Sequence, residues 1–264
     1  MKLRKLRIRA GWTQRELGDQ IPVHHSQIAK YELGNETPSK DISDLMDKLL
    51  GADGDLSDLW EHVKRSPVSD SLRKLMEYEA KATAMHMYQA HTVPGLLQTE
   101  AYAREVMHHA LPWCTAEQIE EKVAARLARR SVLATEAPPL LWIVLDEAVI
   151  RRPVGGPSVM GEQLACLREA SEDPNVEVQI LPFSAGCHAA LGGSVTVLSF
   201  GNAPNVVYLE GGALTGMVRD SKGVARHSHR YDRVHASALP PTASGRWIEK
   251  AMEDFGRCKT YEPT

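Results

Sequence analysis

The side chains in this sequence that could do acid–base or nucleophilic chemistry lie mostly in pairs of residues that are neighbours along the chain. Asp146 and Glu147 are neighbours near the end of a predicted strand, where successive side chains point to opposite faces, so they are poorly placed as a cooperating acid and base. Cys187 and His188 also adjoin, and adjacent side chains in a loop seldom form a nucleophile and its base, which favours a packed thiol. We therefore expect no catalytic residues.

The spacing of histidines and glycines argues against a metal or phosphate site. His227, His229 and His235 do not have the spacing of four residues that lets two ligands on a helix share a face, so we expect solvated histidines. The pairs Gly155-Gly156 and Gly192-Gly193 lack the Lys-Ser/Thr of a phosphate-binding loop and favour turns. The sequence predicts no metal and no cofactor.

One predicted helix has a polar face that suits nucleic-acid recognition. The helix covers residues 24–33, and its apolar side chains Val23, Ile28 and Tyr31 point inwards. Side chains on the other face can bind base edges or phosphates, and none of them is needed for a core. They are His25, Ser26, Gln27 and Lys30.

A short capped helix precedes this face and would position it. Thr13 can accept the backbone N–H of Glu16 while the Glu16 carboxylate accepts that of Thr13, which is a capping box. The joint Ile21-Pro22-Val23 ends this helix, and Gly34 is placed to end the next one. Two short helices with a tight joint predict a helix-turn-helix.

The distribution of charge favours a role for this helix pair in DNA binding, although capped pairs also occur in many all-α proteins. The chain has a net charge of −3, yet six basic residues precede its first acid, Glu16. A basic patch beside a helix-turn-helix is what phosphate contact requires, so DNA binding should be confined to roughly the first sixty residues. The six are Lys2, Arg4, Lys5, Arg7, Arg9 and Arg15.

Length and composition predict two domains. With 264 residues and a hydrophobic fraction of 43%, the chain can bury a sizeable core. No apolar run approaches about 20 residues and no signal-peptide pattern is present, so we expect a cytoplasmic protein without membrane contact. The four cysteines lack CxxC spacing, which predicts reduced and mostly buried thiols at Cys114, Cys166, Cys187 and Cys258.

The predicted domains are residues 1–63 and 71–256, with a polar linker at 64–70 and a tail at 257–264. The second domain begins with helices, predicted over residues 71–89, over 100–109 and after Thr115. Apolar runs typical of strands follow, and the last three are close together, which favours a mixed or antiparallel sheet. These runs are 140–145, 176–181, 194–200 and 206–209, and helices near 158–172, 221–238 and 244–255 complete the pattern.

Residues 3–60 resemble the Cro/C1-type (XRE) helix-turn-helix family, through Ala10-Gly11-Trp12-Thr13-Gln14-Arg15-Glu16-Leu17 and Ile28-Ala29-Lys30-Tyr31-Glu32. The resemblance implies five short helices with the third in the major groove of DNA. It implies a phosphate contact for Gln14 and a structural ion pair between Arg7 and Glu32. It makes His25, Ser26, Gln27 and Lys30 the base readers, and Arg15 and His24 complete the candidate DNA contacts.

Two residues depart from that family. Pro22 stands where a glycine usually takes a positive φ, which a proline ring forbids, so the turn must differ in detail. His24 replaces the usual Ser or Thr cap of the third helix, so either this helix end is less well satisfied or a histidine faces the phosphate backbone.

The rest of the chain, from about Leu72 to Phe255, resembles the DUF5753 domain. The motifs include Val93-Pro94-Gly95-Leu96-Leu97-Gln98-Thr99 and Leu145-Asp146-Glu147-Ala148-Val149-Ile150-Arg151-Arg152-Pro153. The resemblance implies a Scr1-type antitoxin-like regulator, often encoded beside small DUF397 proteins, and it supplies no established catalytic residues.

The combined fold class is therefore an α head plus an α+β domain, in which a five-helix helix-turn-helix domain precedes a helical segment and a small mixed or antiparallel sheet covered by helices. We expect a transcriptional regulator that binds double-stranded DNA as a homodimer and receives a partner protein or ligand, with a small DUF397-like protein as one partner. The alternative is an antitoxin-type protein that sequesters such a partner, with DNA binding secondary. Val93-Pro94-Gly95 could act as a joint, and Arg126, Arg129 and Arg130 form either an acidic-partner contact or an exposed helix face.

Overall fold

The computed structural model describes residues 2–33, 36–65, 70–211 and 215–257, without the side chains of 61–65, 70 and 71. The chain forms two compact units, Met1–Asp70 and Ser71–Thr264, which we call the head and the second unit. The helix stop predicted at Gly34, residues 66–69 of the predicted linker, and Cys258 with the rest of the predicted tail lie outside the described residues. No helix in the described ranges is long and apolar enough to cross a membrane.

The head contains five helices in its described part. Leu17 and Ile28 are fully buried at the centre of its core, and Met46 and Leu56 pack into the same cluster. Ser39 caps the fourth helix, and Gly51 ends it in the left-handed conformation, as helix ends commonly require. The five-helix prediction is confirmed. The helices are α1 Lys2–Arg9, α2 Gln14–Asp19, α3 His25–Leu33, α4 Lys40–Leu50 and α5 Asp55–Arg65.

The second unit is built on a six-stranded mixed sheet with the order β3-β2-β1-β4-β5-β6. The first three strands are parallel to one another, whereas β4, β5 and β6 add antiparallel pairs on the other side of β1. The strands are β1 Ala84–Gln89, β2 Leu140–Asp146, β3 Val176–Leu181, β4 Ser194–Ser199, β5 Val206–Glu210 and β6 Gly216–Val218.

The prediction that helices cover this sheet is confirmed, and the structure shows them on both faces. Met160 and Leu164 of one helix and Ile248 of another pack against one face, while Tyr231 and Val234 of a third helix pack against the opposite face. The fold class is therefore an α head plus an α+β unit. The helices of the second unit are α6 Asp70–Glu79, α7 Glu100–Ala110, α8 Ala116–Ala128, α9 Glu147–Arg151, α10 Gly156–Ala170, α11 Ser221–His235 and α12 Pro241–Arg257.

The long helix predicted over residues 71–89 is wrong in its second half. Helix α6 ends at Glu79, and residues 84–89 form β1 in the middle of the sheet. Ala, Met and Gln favour a helix locally, but Met85 and Met87 become fully or almost fully buried when β1 pairs with β2 and β4. Tertiary pairing and burial override the local preference here.

Candidate nucleic-acid interface

The first helix of the helix-turn-helix begins as the sequence predicts. Thr13 Oγ1 accepts the backbone N–H of Glu16 at 3.1 Å, and Glu16 Oε2 accepts the N–H of Thr13 at 2.6 Å, which completes the capping box. Hydrogen bonds from the Thr13 backbone and hydroxyl lower the pKa of the Glu16 carboxyl. The start of α2 is therefore held by two reciprocal bonds.

The turn between α2 and α3 departs from a glycine turn, as the proline at its centre requires. Gln20 ends α2 with φ −92°, and the N–H of Val23 donates to the carbonyl of Ile21 at 2.7 Å. Of the described residues, Asp53 is the one non-glycine with positive φ, so no residue between Asp19 and His25 needs that conformation. Pro22 thus fits a turn of different geometry.

A close approach between the two helices was not anticipated from the sequence. Gly18 is buried in α2, and a Cβ added there would lie 2.9 Å from the Cα of His25 at the start of α3. Real Cβ atoms essentially never come so close to backbone, so a side chain at residue 18 would push α3 away from α2. This glycine therefore sets the spacing of the helix pair.

His24 serves as the cap of the third helix. Its Nδ1 lies 3.4 Å from the backbone nitrogen of Ser26, whose N–H it accepts, and 2.9 Å from the Ser26 hydroxyl. The rings of His24 and His25 lie beside each other with centroids 4.0 Å apart. The end of α3 is thus satisfied by an imidazole instead of a Ser or Thr hydroxyl.

The predicted reading face of α3 is accessible. His24, His25, Ser26 and Lys30 are exposed, while Gln27 is half-buried and its Oε1 has no hydrogen-bond partner among the described residues. Inward-facing Ile28 is fully buried, and Val23 and Tyr31 pack against the same core. The two faces of α3 therefore divide as the sequence pattern predicts.

Glu36 adds a carboxylate to this face that sequence reasoning missed. Gln27 Nε2 donates to Glu36 Oε1 at 3.2 Å, and Lys30 Nζ lies 3.4 Å from Glu36 Oε2. Two of the predicted base readers therefore share one acidic partner. The sequence carries no local signal for this contact because Glu36 lies nine residues after Gln27, beyond the last residue of α3, Leu33.

Beneath the reading face lies the ion pair that the family resemblance implied. Arg7 binds both carboxylate oxygens of Glu32, at 2.5 and 3.2 Å, and Gln14 Nε2 donates to Glu32 Oε2 at 2.7 Å. Burial tends to raise the pKa of Glu32, but these hydrogen bonds and the charges of Arg7 and Arg4 outweigh it and lower that pKa. Arg7 is thus a brace of the head, and Gln14, the predicted phosphate contact, is tied to α3.

The predicted basic patch is smaller than the sequence suggested. Arg7 is buried, Lys2 pairs with Asp55 at 2.7 Å, and Arg9 donates to the Gly51 carbonyl at 3.4 Å. The remaining three members are exposed without a direct hydrogen bond or ion pair in the described part of the head. These three are Arg4, Lys5 and Arg15.

The second unit uses its adjacent acids for local structure. Asp146 caps α9 by accepting the N–H of Ala148, and Glu147 accepts the N–H of Phe183. His188 is buried between Tyr88 and Asp146, with its Nε2 at 3.4 and 3.8 Å from their oxygens. Within the described ranges, no group of three or more His, Cys, Asp or Glu residues could hold a metal ion.

Three expectations for the second unit are wrong. Cys187 is exposed, and Cys114 and Cys166 are only half-buried, because Cys187 and Cys114 lie in connections between elements and Cys166 lies on a partly exposed side of α10. His235 packs edge-on against Trp142, with ring centroids 4.7 Å apart, so it is not simply solvated. The third correction concerns the arginines: Arg126, in the last turn of α8, and Arg129, just after that helix, do not lie on an exposed face, because they turn inward to Gln98 and Glu79.

Comparison with known protein families finds a match to each of the two parts of the chain. A helix-turn-helix domain model matches residues 1–60, and the model of a domain of unknown function, DUF5753, matches residues 72–250. No curated protein and no solved structure matches the chain.

Proposed function

Because the chain belongs to the DUF5753 family and begins with a helix-turn-helix domain, we propose that it is a cytoplasmic, sequence-specific transcriptional regulator whose second unit dimerises and receives a partner protein or ligand. The observation that carries the proposal is the exposed polar face of α3 beside three exposed cations, Arg4, Lys5 and Arg15. Polar side chains on a helix that enters the major groove read bases, and nearby cations bind phosphates.

The side chains divide between these two tasks. His25, Ser26, Gln27 and Lys30 are proposed to bind base edges, while Arg15 and His24 bind phosphates. Gln14 joins the second group through the amide hydrogen that is not donated to Glu32. Since Gln14 is fixed to Glu32 within α3, a phosphate contact there would set the register of the reading helix.

The DNA proposal is tested by selecting bound duplexes from a random pool with the full chain and measuring affinity by fluorescence anisotropy. Each of Gln27→Ala and Lys30→Ala should cost about 1 to 3 kcal/mol if the residue contacts a base. Lys48→Ala, which removes the same charge from an exposed position of α4, is the matched control. A double variant that binds the selected duplex as well as the parent contradicts this docking.

We also propose a homodimer carried by the second unit, because one small head offers little contact for tight specific binding. Two heads would bind half-sites about one helical turn, or a multiple of it, apart. Analytical ultracentrifugation of the full chain at about 10 μM checks the assembly. A monomer both with and without the selected duplex contradicts the homodimer.

An antitoxin-type role is the second candidate function. The observation that favours it is the exposure of large apolar side chains on the second unit, with Trp113 76% exposed. Tryptophan is over-represented among the residues that dominate protein interfaces. Co-purification of a small partner that the Trp113→Ala variant loses would support sequestration, whereas unchanged capture by that variant would contradict this surface.

A further inference from the structure

Arg126 carries a largely buried positive charge that forms no ion pair with any described residue. Its Nη1 donates to the neutral Oε1 of Gln98 at 2.9 Å, and its Nε is sealed from solvent without any hydrogen-bond partner. Within the described part of the chain, no carboxylate lies within ion-pair distance of Arg126. Burial and the charge of Arg129 lower the pKa of this guanidinium and outweigh the opposite effect of the Glu210 carboxylate, yet arginine stays protonated in proteins.

The neighbouring arginine shows the contrasting arrangement. Arg129 binds both oxygens of Glu79, at 2.7 and 3.1 Å, and the two side chains are only 8% and 3% exposed. This pair is neutral as a whole, whereas the charge of Arg126 is offset only by Glu210, which lies beyond ion-pair distance. A largely buried ion without a direct ion pair is costly to a fold, which makes Arg126 a poor choice for a purely structural residue.

The surroundings hold Arg126 in one place. Gln98 is almost fully buried, and its Nε2 donates to the Val93 carbonyl at 2.7 Å, which leaves its Oε1 aimed at Arg126. A Cβ added to Gly95 would lie 3.7 Å from the Arg126 side chain and 3.2 Å from Arg129 Nη1. The segment that the sequence suggested as a joint is thus packed against both arginines.

Tyr208 places a further donor near this charge. Its hydroxyl makes no hydrogen bond to any described residue, and burial together with the charge of Glu210 raises its pKa to about 12. The phenol therefore keeps its proton at neutral pH and remains free to donate. Tyr208 packs in the same buried cluster as Val93 and Leu97, which flank the Gly95 that lies against Arg126 and Arg129.

We infer that Arg126 and Tyr208 form a binding site for a carboxylate, supplied by a small organic acid or by an acidic side chain of a partner protein. A carboxylate matches the planar guanidinium and supplies the direct ion pair that Arg126 lacks. A phosphate dianion fits less well because Glu79 and Glu210 are nearby. Arg126 as a whole keeps partial exposure, which gives a ligand access. The inference rests on the proposed function and names the chemistry that the second unit receives.

The test uses the full chain at constant ionic strength, with succinate and a glutamate-rich peptide as separate probes in calorimetric titrations. Arg126→Met should weaken binding of the active probe about 10- to 100-fold, as expected for hydrogen bonds to a charged group. Tyr208→Phe, which removes only the hydroxyl, should weaken it about 3- to 10-fold. Arg130→Met removes an exposed neighbouring charge and should bind like the parent.

Thermal unfolding of the same variants in chloride alone separates a ligand site from a structural arginine. Arg126→Met should melt at or above the temperature of the parent, because it removes a largely buried charge that has no direct ion pair. Binding of succinate indicates a small acid, and binding of the peptide alone indicates a partner side chain. If neither probe binds, or if Arg126→Met and Arg130→Met bind alike, the inference is overturned.

The inference and the proposed function fail separately. If the parent protein shows no specific DNA binding, the proposed regulatory function is contradicted, but the results of the carboxylate titrations still stand. Carboxylate binding that never changes DNA affinity would support the site but contradict its receiving role, since regulation requires that the ligand and DNA influence each other's affinity.

Discussion

Replacing Glu36 by alanine should tighten DNA binding by the head. The Glu36 carboxylate holds Gln27 at 3.2 Å and Lys30 at 3.4 Å, and both are proposed base readers. DNA must displace this carboxylate from both side chains and accept a negative charge beside its phosphates. Without Glu36, the Gln27 and Lys30 side chains are already free when DNA binds. The free energy needed to break their contacts with Glu36 then no longer opposes binding.

The size of the effect follows from the two contacts. The Lys30 and Glu36 side chains are 53% and 43% exposed, so their ion pair contributes only about 0.2 to 1 kcal/mol. The hydrogen bond from Gln27 adds about 0.5 to 1.5 kcal/mol. Together they oppose binding by about 0.7 to 2.5 kcal/mol, which corresponds to roughly 3- to 70-fold tighter binding in Glu36→Ala.

Fluorescence anisotropy with a selected duplex and a scrambled duplex, at one fixed salt concentration, measures this change. Asp58→Ala is the matched control, because Asp58 is an exposed acid of α5 and its removal changes the net charge equally. If Glu36→Ala binds no tighter than Asp58→Ala, the contacts of Glu36 with Gln27 and Lys30 do not oppose DNA binding. If it binds more weakly, Glu36 itself accepts a hydrogen bond from a base such as cytosine, and the reasoning is refuted.

Further outcomes concern the stability of the head. Glu32→Gln should destabilise it by about 3 to 5 kcal/mol in urea unfolding, because it breaks the buried pair with Arg7, whereas Asp55→Asn, which breaks only the exposed pair with Lys2, should cost under about 1 kcal/mol. Equal losses would contradict the brace. The pKa values of the Glu32 and Asp47 carboxyls are lowered in the folded head. Their contribution to the free energy of unfolding is therefore complete above about pH 4.5 and is lost as the pH falls through the pKa values of the folded state. Acid unfolding monitored by circular dichroism should show this loss of stability, and Glu32→Gln should make it smaller. Gly18→Ala should abolish specific DNA binding while Gly161→Ala, at an open helical position of α10, should not, and normal binding by both would show that the helix spacing tolerates a side chain.

Helix starts were predictable because their signals are local. Thr13 with Glu16 and Thr115 with Gln118 form capping boxes within four residues, and both boxes are present in the structure. The two faces of α3 follow from one helical period in the same way. Most of the later strands also stood out, because Leu140–Asp146 and Val176–Leu181 are dense in β-branched or aliphatic residues.

The features that escaped prediction depend on residues far apart in the chain. β1 is a strand because of neighbours that begin at Leu140 and end at Ser199, which no local window contains. The inward turn of Arg129 depends on Glu79 in another helix. The spacing of the arginines along α8 therefore predicted an exposed face, because the helical period carries no information about contacts with residues in other elements.

The central position of β1 has a consequence for synthesis of the chain. All contacts within the head lie before β1, so the nascent head can fold while the rest is still being made, as domains generally do. β1, in contrast, gains its antiparallel neighbour only when residues 194–199 emerge. Until then one edge of an apolar strand is open to other chains. Chains truncated near residue 185 should therefore aggregate through β1 while their heads remain folded.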